Sequence, residues 1–271
     1  MRMGKKTTLA LLLAIGTSFA GQAQRTLILG QNNYDQRKDI IYEKEFSTDF
    51  RLHTGGASVG VNLGKIRSYK KTSLMYFGIG ELKHPQEVRQ NQNLPFGVGT
   101  GLRGYIFGKQ NNFFALRGGI GEKHYLSEKA RKKGVALAIS YDVGPTIGVL
   151  KPYYLMLRTE PSNFNQPNFR SEKFSTENES RFLSVDKIFG ADNFFQGIGE
   201  LGFRPGLHAK FSAHADWGIL DEFIKALEAG VMVDYFFQEI PLMAESPLTP
   251  NFRNKNVFVN LFLTLQLGKR S

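Results

Sequence analysis

Residues 256–269 read NVFVNLFLTLQLGK, and this stretch decides the fold. Its odd positions are aliphatic from Val257 to Leu267, whereas its even positions mix asparagine, phenylalanine, threonine and glutamine. Successive side chains of a β-strand point to opposite faces of the sheet. The stretch therefore predicts a long strand with one aliphatic and one mixed face, which is typical of a strand that is half-buried or faces lipid.

The same alternation recurs upstream and predicts about ten strands, with eight as the alternative count. The apolar positions Phe46, Phe50 and Leu52 are even, whereas those after Gly55-Gly56 are odd, and a two-residue hairpin turn requires that switch. Most of the strands reach the ~9–11 residues that a tilted strand needs to cross a bilayer. The predicted strands are 43–54, 57–66, 72–83, 95–107, 112–125, 134–149, 153–160, 204–216, 223–237 and 255–268.

Two all-β architectures fit this pattern. We expect a transmembrane antiparallel up-and-down β-barrel with lipid outside; the alternative is a secreted sandwich or lipocalin-like barrel with its apolar face inside. Aromatic residues near the strand ends and strands longer than the ~5–6 residues usual in soluble sheets favour the membrane barrel. The longer connections 84–94, 126–133, 161–203 and 238–254 would then lie on the outer rim, opposite the termini.

The first 23 residues have the features of a secretory signal peptide. Arg2, Lys5 and Lys6 precede a short apolar core, and small residues allow cleavage after Ala20 or Ala23. Removing residues 1–23 lowers the formal charge from +11 to +8, leaving 24–271 as a single barrel domain in the bacterial outer membrane. After export, the expected anionic partner of a basic chain is lipid or lipopolysaccharide rather than nucleic acid.

The chain resembles small outer-membrane β-barrel proteins of Bacteroidota-type Gram-negative bacteria, a family of largely unassigned function. The stretches GVLKPYYLML (148–157) and VDYFFQEIPLMAE (233–245) carry the resemblance, together with the closing strand. The resemblance covers nearly the whole mature chain. It implies a structural or accessory subunit of an envelope protein assembly for insertion or secretion.

The predicted inward faces carry charges of both signs. A barrel of this size is too narrow for a wide pore, so we expect opposite charges to pair across the lumen. The alternative is a narrow selective channel lined by some of the arginine and lysine residues. The predicted lumen network comprises Asp49, Arg51, Arg103, Arg117, Asp142, Arg158, Lys210, Glu228 and Asp234.

The long connection 161–203 is polar at first and then apolar and aromatic. We expect part of it to form a short helix over the barrel mouth, because Phe182, Val185, Ile188 and Phe189 have helical spacing. The same connection, together with 238–254, could dock an envelope protein. The predicted docking residues are Phe182, Val185, Ile188, Phe189, Phe194 and Phe195.

No motif indicates an enzyme, and we expect neither cofactor nor metal. The chain has no cysteine, which excludes disulfides, a thiol nucleophile, a cysteine zinc site and a lipid-modified N-terminal cysteine. His208 and His214 are too far apart along one strand to share a metal ion. The least favoured hypothesis is a hydrolase at the rim that uses His214 and Asp216, because no nucleophile-elbow pattern occurs.

Overall fold

The computed structural model describes residues 42–90, 104–127, 134–159, 168–217 and 222–271. Among these residues, no helix is long and apolar enough to cross a membrane. The strands are β1 (Lys44–His53), β2 (Gly56–Ser68), β3 (Lys71–Glu81), β4 (Arg89–Gln90), β5 (Tyr105–Ile106), β6 (Asn111–Tyr125), β7 (Ala136–Pro152), β8 (Tyr154–Thr159), β9 (Asn168–Lys173), β10 (Ile188–Ala191), β11 (Gly202–Asp216), β12 (Phe223–Ile240) and β13 (Lys255–Arg270). One helical turn, α1 (Glu179–Phe182), precedes a 3-10 turn at Val185–Lys187, and a second 3-10 turn covers Ile198–Glu200.

Eight long strands close into an antiparallel barrel in the order β1-β13-β12-β11-β7-β6-β3-β2. The all-β barrel is as predicted, but the count of ten strands is wrong and the alternative count of eight is right. The predicted strand 153–160 is β8, which pairs with β9 and β10 in a separate sheet. Of the predicted strand 95–107, residues 95–103 lie outside the described residues. The part that is described as a strand, β5, pairs with β4 in a two-stranded sheet outside the barrel.

The barrel places its charged face inside and its aliphatic face outside. In β1 the odd residues Glu45 to His53 are buried, whereas Phe46, Phe50 and Leu52 are exposed. In β13 the even residues from Asn260 to Gln266 are buried, and the aliphatic odd residues are exposed. The interior is therefore the polar side, as expected for the membrane architecture.

The β1–β2 hairpin is tight, and its turn lies one residue earlier than predicted. His53 pairs with Gly56 and Leu52 with Ala57, so Thr54 and Gly55 form the two-residue turn. The parity of the apolar positions switches across it, as predicted. Gly56 has a φ of +144°, and a Cβ there would lie 2.5 Å from the carbonyl oxygen of Glu81, so glycine is required.

Connections lie on two rims. The terminus rim holds the start of β1, the end of β13, the turn 69–70 and the described ends of the β6–β7 and β11–β12 connections. The loop rim holds Thr54-Gly55, the connection 241–254 and the described parts of 82–110 and 153–201. Residues 126–127 of the predicted outer loop 126–133 lie on the terminus rim, and 128–133 lie outside the described residues. The prediction is wrong for the described residues, because losing the predicted strand 95–107 from the barrel exchanges the rims on which the next strands end.

An apolar cluster, here called the plug, closes the barrel at the loop rim. The end of β12 and the start of the β12–β13 connection fold inward, where Asn254 Oδ1 accepts hydrogen bonds from the backbone N–H groups of Leu242 (2.8 Å) and Met243 (2.9 Å). The buried plug residues are Leu82, Phe113, Ala115, Leu150, Phe236, Ile240, Leu242 and Met243. The prediction that this connection is a docking loop is therefore wrong for its first residues.

The second sheet and the segment that follows it form a small folded unit at the loop rim, here called the cap. It comprises the described parts of 153–201, with β8 between β9 and β10. The cap has its own apolar core of Leu155, Leu157, Phe182 and Ile188, to which Tyr105 contributes. The cap core and the plug are two distinct clusters.

Candidate functional site

The lumen charges lie in layers, and the layer below the plug holds one ion pair that crosses the lumen. Arg117 on β6 donates from Nε and Nη2 to the two carboxylate oxygens of Asp234 on β12, at 2.7 and 2.9 Å. Both side chains are fully buried. Two strands separate β6 from β12 on the shorter path around the barrel, so the pair joins opposite walls.

The middle layer combines two further cations with three carboxylates. Lys210 Nζ lies 2.9 Å from Asp142 and 3.1 Å from Glu228 on the two neighbouring strands. Arg51 lies 3.4 Å from Asp49 and donates from Nε to Thr264 Oγ1 at 3.0 Å. These contacts satisfy most of the polar atoms of both cations.

A third layer lies near the terminus rim; Asp216 is on a predicted inward face, but Glu45, Lys123 and Arg270 were not predicted as inward-facing. Lys123 Nζ lies 2.8 Å from Glu45, and Arg270 lies 3.2 Å from Glu45 and 3.0 Å from Asp216. Glu45 shares the odd, inward face of β1 with Asp49, and Lys123 shares the inward face of β6 with Arg117. Extending the alternation to the strand ends would have found them.

The interior is nearly neutral. Among the described residues, six carboxylates and six cationic side chains occupy inward-facing strand positions, the sixth cation being Arg204 near the loop rim. A buried charge left without a partner is costly. Within the part of the chain that the structure describes, the paired charges and the plug fill the lumen and leave no wide channel through the barrel. The arrangement suits a filled structural core, because Arg51, Arg117, Lys123, Lys210 and Arg270 are each held by a carboxylate.

The histidine residues on β11 do not form a catalytic pair. His208 contacts Asp142 at 3.2 Å and Thr146 at 3.1 Å, both inside the lumen. Neither ring nitrogen of His214 has a hydrogen-bond partner in the described structure, and Asp216 instead binds Arg270. The geometry thus offers no support for a rim hydrolase.

Two of the predicted lumen residues, Arg158 and Arg103, are not among the described lumen charges. The prediction for Arg158 is wrong, because Arg158 lies on β8 in the cap sheet and is exposed. Side chains along β8 alternate between buried and less buried positions as they do along a barrel strand, but the buried side chains of β8 pack in the cap core. Arg103 lies outside the described residues.

The predicted docking residues divide between core and surface. Phe182 and Ile188 are buried in the cap core, so their prediction as docking residues is wrong. The predicted helix over 182–189 is also wrong: α1 ends at Phe182, and the run continues as a 3-10 turn and β10. The apolar residues at 182, 185, 188 and 189 have helical spacing, but Phe182 and Ile188 are apolar because they are buried against the cap sheet, not because they share one face of a helix.

Val185 and Phe169 are exposed on the cap, and the half-buried Phe189 packs against Phe169. Val185 is 51% exposed, and the rings of Phe169 and Phe189 lie 4.0 Å apart between centroids. These three residues are here called the cap patch.

Phe194 and Phe195 belong to a different surface. They are exposed, and the ring of Phe194 lies 6.5 Å from that of Phe114 on the outer wall of the barrel. Leu201 and Phe203 continue this exposed apolar surface onto β11. It is continuous with the aliphatic outer face rather than with the cap patch.

Comparison with known proteins finds similar barrels among solved structures. The crystal structure of Neisserial surface protein A aligns with a TM-score of 0.38 at 8% identity, covering 84% of this chain and 96% of that chain. The N-terminal β-barrel domain of Pseudomonas aeruginosa OprF aligns with a TM-score of 0.34, also at 8% identity, with coverages of 84% and 96%. The attachment invasion locus protein Ail of Yersinia pestis aligns with a TM-score of 0.35 at 8% identity, with coverages of 84% and 95%.

No family model and no curated protein matches the chain. At these TM-scores and identities, the structural likenesses carry no argument about function or location. Both are therefore inferred from the geometry of this chain.

Proposed function

We propose that the protein is a non-catalytic outer-membrane β-barrel that acts as a structural or accessory subunit of an envelope protein assembly. Lipid surrounds the barrel, the filled lumen is closed to solutes, and the cap docks a protein partner. The observation that carries the proposal is the combination of an aliphatic exterior with an interior of paired charges. Water-soluble barrels have the opposite arrangement.

The dimensions of the aliphatic exterior support placement in a membrane. The exposed row on β13 runs from Val257 to Leu267, which spans about 33 Å along the strand at ~3.3 Å per residue. A tilt of about 40° reduces this span to a height of roughly 25 Å, the height of the apolar band of outer-membrane barrels. This exposed aliphatic surface is here called the belt.

Aromatic residues mark both edges of the belt. Trp217 and Phe223 are exposed near the terminus rim, and Phe203 and Phe237 are exposed near the loop rim. Amphipathic and aromatic side chains are enriched where a bilayer meets water. We infer that the loop rim with the cap lies outside the cell and that the terminus rim faces the periplasm.

A closed barrel that carries a separately packed cap is better suited to docking than to transport. The plug closes the loop rim, and the cap places the exposed Val185 and Phe169, together with the half-buried Phe189, outside the belt. Exposed apolar residues beyond the lipid zone are typical of protein contacts. The occupant we propose for the cap patch is a protein of the envelope, which is also what the family resemblance implies.

Photo-crosslinking in native outer membranes tests the docking. A photoreactive phenylalanine analogue at position 185 should give one discrete protein adduct, and Val185→Asp should remove the corresponding protein from mild-detergent co-purification. The same analogue at position 259, on the belt, is the control and should give lipid adducts only. Lipid adducts alone from position 185, with unchanged co-purification, would contradict the docking role.

Single-channel recording separates this proposal from the narrow channel. The purified barrel in a planar bilayer should give no conductance steps at either polarity, because paired charges and the plug fill the lumen. Regular steps that change in size in Arg117→Ala would instead support the channel.

A further inference from the structure

A cleft of about 260 Å³ lies between the outer wall of the barrel, the cap and the described part of the β3–β6 connection, which contributes Arg89, Gly104 and Ile106. It is just smaller than the ~300–1,000 Å³ of pockets for drug-sized ligands, so one sugar-sized group fits. Its polar and aromatic lining includes Arg89, Asn112, Lys151, Tyr153, Tyr154 and Phe194. The cleft shares none of its lining residues with the lumen network or the cap patch.

The position of the cleft relative to the belt is fixed by the strand register. Asn112 on β6 pairs directly with Lys151 on β7, and both lie on the outward-facing side of the wall. The next outward pair toward the terminus rim is Phe114 with Val149. The cleft therefore begins where the apolar belt ends, which is the level of lipid headgroups.

Lys151 is a buried cation without a carboxylate. It is 5% exposed, and its Nζ donates to the backbone carbonyl oxygens of Gln196 (3.0 Å) and Pro152 (3.3 Å). The same ammonium lies 4.7 Å from the centroid of the Phe194 ring. Among the described residues it has no ion pair, and an ammonium has three donors, so one donor remains for a ligand.

The other polar groups of the cleft reinforce its positive character. Arg89 is exposed and has no ion pair within the described ranges, and the Asn112 side chain makes no hydrogen bond there. Asp192 also lines the cleft, but its oxygens accept hydrogen bonds from Ser171 and from the backbone N–H of Asn193. The cleft therefore presents two cations, Lys151 and Arg89, and one carboxylate that already accepts hydrogen bonds. This charge balance favours binding of an anion.

We propose that this cleft binds the phosphate of a glycolipid headgroup in the outer leaflet. Lys151 and Arg89 hold the phosphate through charge-assisted hydrogen bonds, the Asn112 amide donates to it or to the sugar, and the aromatic residues contact the sugar ring. The acyl chains of the same lipid lie along the belt below Phe114 and Val149. The inference rests on the proposed membrane placement, since only a bilayer positions headgroups at this level.

Native mass spectrometry of the full-length protein in mild detergent tests the site, with lipid A as the probe. Lys151→Met and Arg89→Gln should each weaken lipid A binding by about tenfold or more, because each removes a hydrogen bond to a charged group. Lys187→Met, an exposed cap lysine away from the cleft, is the matched control and should bind like the wild type. Dephosphorylated lipid A should bind the wild type as weakly as lipid A binds Lys151→Met.

Three other results would contradict the proposed phosphate site. Equal binding by the wild type and both cleft variants, or equal binding of phosphorylated and dephosphorylated lipid A, would overturn it. Displacement of lipid A by an equal concentration of inorganic phosphate would show a site for free phosphate instead of lipid. Heat-modifiable gel migration of every variant reports barrel folding separately, so a failure of the barrel itself is distinguished from a failure of the cleft.

Discussion

Tyr76 fills the lumen at a level where the neighbouring inward positions, Gly78 on the same strand and Gly60 on β2, are glycine. A Cβ at Gly78 would lie 2.2 Å from the hydroxyl oxygen of Tyr76, and a Cβ at Gly60 would lie 2.5 Å from its ring. The Tyr76 hydroxyl also accepts a hydrogen bond from Arg51 at 3.2 Å. The glycine residues thus make room for a large side chain that supports the middle charge layer.

Gly78→Ala should therefore lower the free energy of unfolding by about 1–3 kcal/mol, the usual cost of overpacking. Gly118→Ala is the control: its Cβ would point outward and approach Phe77 no closer than 3.5 Å, so its effect should stay within about 0.5 kcal/mol. Urea unfolding from lipid vesicles measures both. Equal effects of the two substitutions would show that the interior is not packed as described.

The Arg117–Asp234 pair permits a second prediction at this scale. Arg117→Met should destabilise the barrel by about 3–5 kcal/mol, because it leaves a buried carboxylate without its partner. The double variant Arg117→Met/Asp234→Leu should recover much of this loss, giving a double-mutant cycle that is far from additive. Additive losses in urea unfolding would mean that the two side chains do not interact across the lumen.

An exposed ion pair should contribute much less to stability than the buried Arg117–Asp234 pair. Lys269 lies 2.9 Å from Glu222 near the terminus rim, and both side chains are more than a third exposed. Lys269→Met should change the unfolding free energy by less than about 1 kcal/mol, as is usual for surface pairs.

At the scale of elements, the sequence predicts strands well and their partners poorly. The predicted bounds of β11, β12 and β13 lie within a few residues of those observed, because long alternation is a local property of the chain. Whether β8 joins the barrel depends instead on what its buried side chains meet. Leu155 and Leu157 meet the cap core, and nothing in the six residues of β8 distinguishes that core from a lumen.

The same limit explains which site residues were predicted. Alternation places Asp142, Lys210 and Glu228 on inward faces, but it cannot say that Lys210 lies between the two carboxylates, since that depends on register between strands. For the connection 161–203, composition indicates an aromatic segment. It does not separate buried Phe182 from exposed Phe195.

The cap should be able to unfold without the barrel. Phe182→Ala should cost the cap about 3–5 kcal/mol, the usual loss for truncating a buried phenylalanine. Limited proteolysis should then cut between residues 153 and 201, while heat-modifiable migration persists because the plug is a separate cluster. If the cap of the variant resisted proteolysis as well as that of the wild type, or if the barrel also unfolded, the cap and the barrel would not be independent units.

At the scale of the whole molecule, polarity is inverted relative to a water-soluble protein. The interior holds the charges, and the large exposed side chains are aliphatic or aromatic over most of the barrel wall. Such a surface is stable only if lipid or detergent covers it. Membrane placement, closure of the lumen and docking by the cap all depend on this inversion.

Spin labelling along β13 in lipid vesicles tests the inversion most directly, and the lack of native cysteine allows single labels at chosen sites. We expect labels at Val259, Leu261, Leu263 and Leu265 to collide freely with oxygen and rarely with a water-soluble nickel reagent. A label at Thr264 should be shielded from both. Frequent nickel collisions at the odd positions would place the aliphatic face in water and contradict the account.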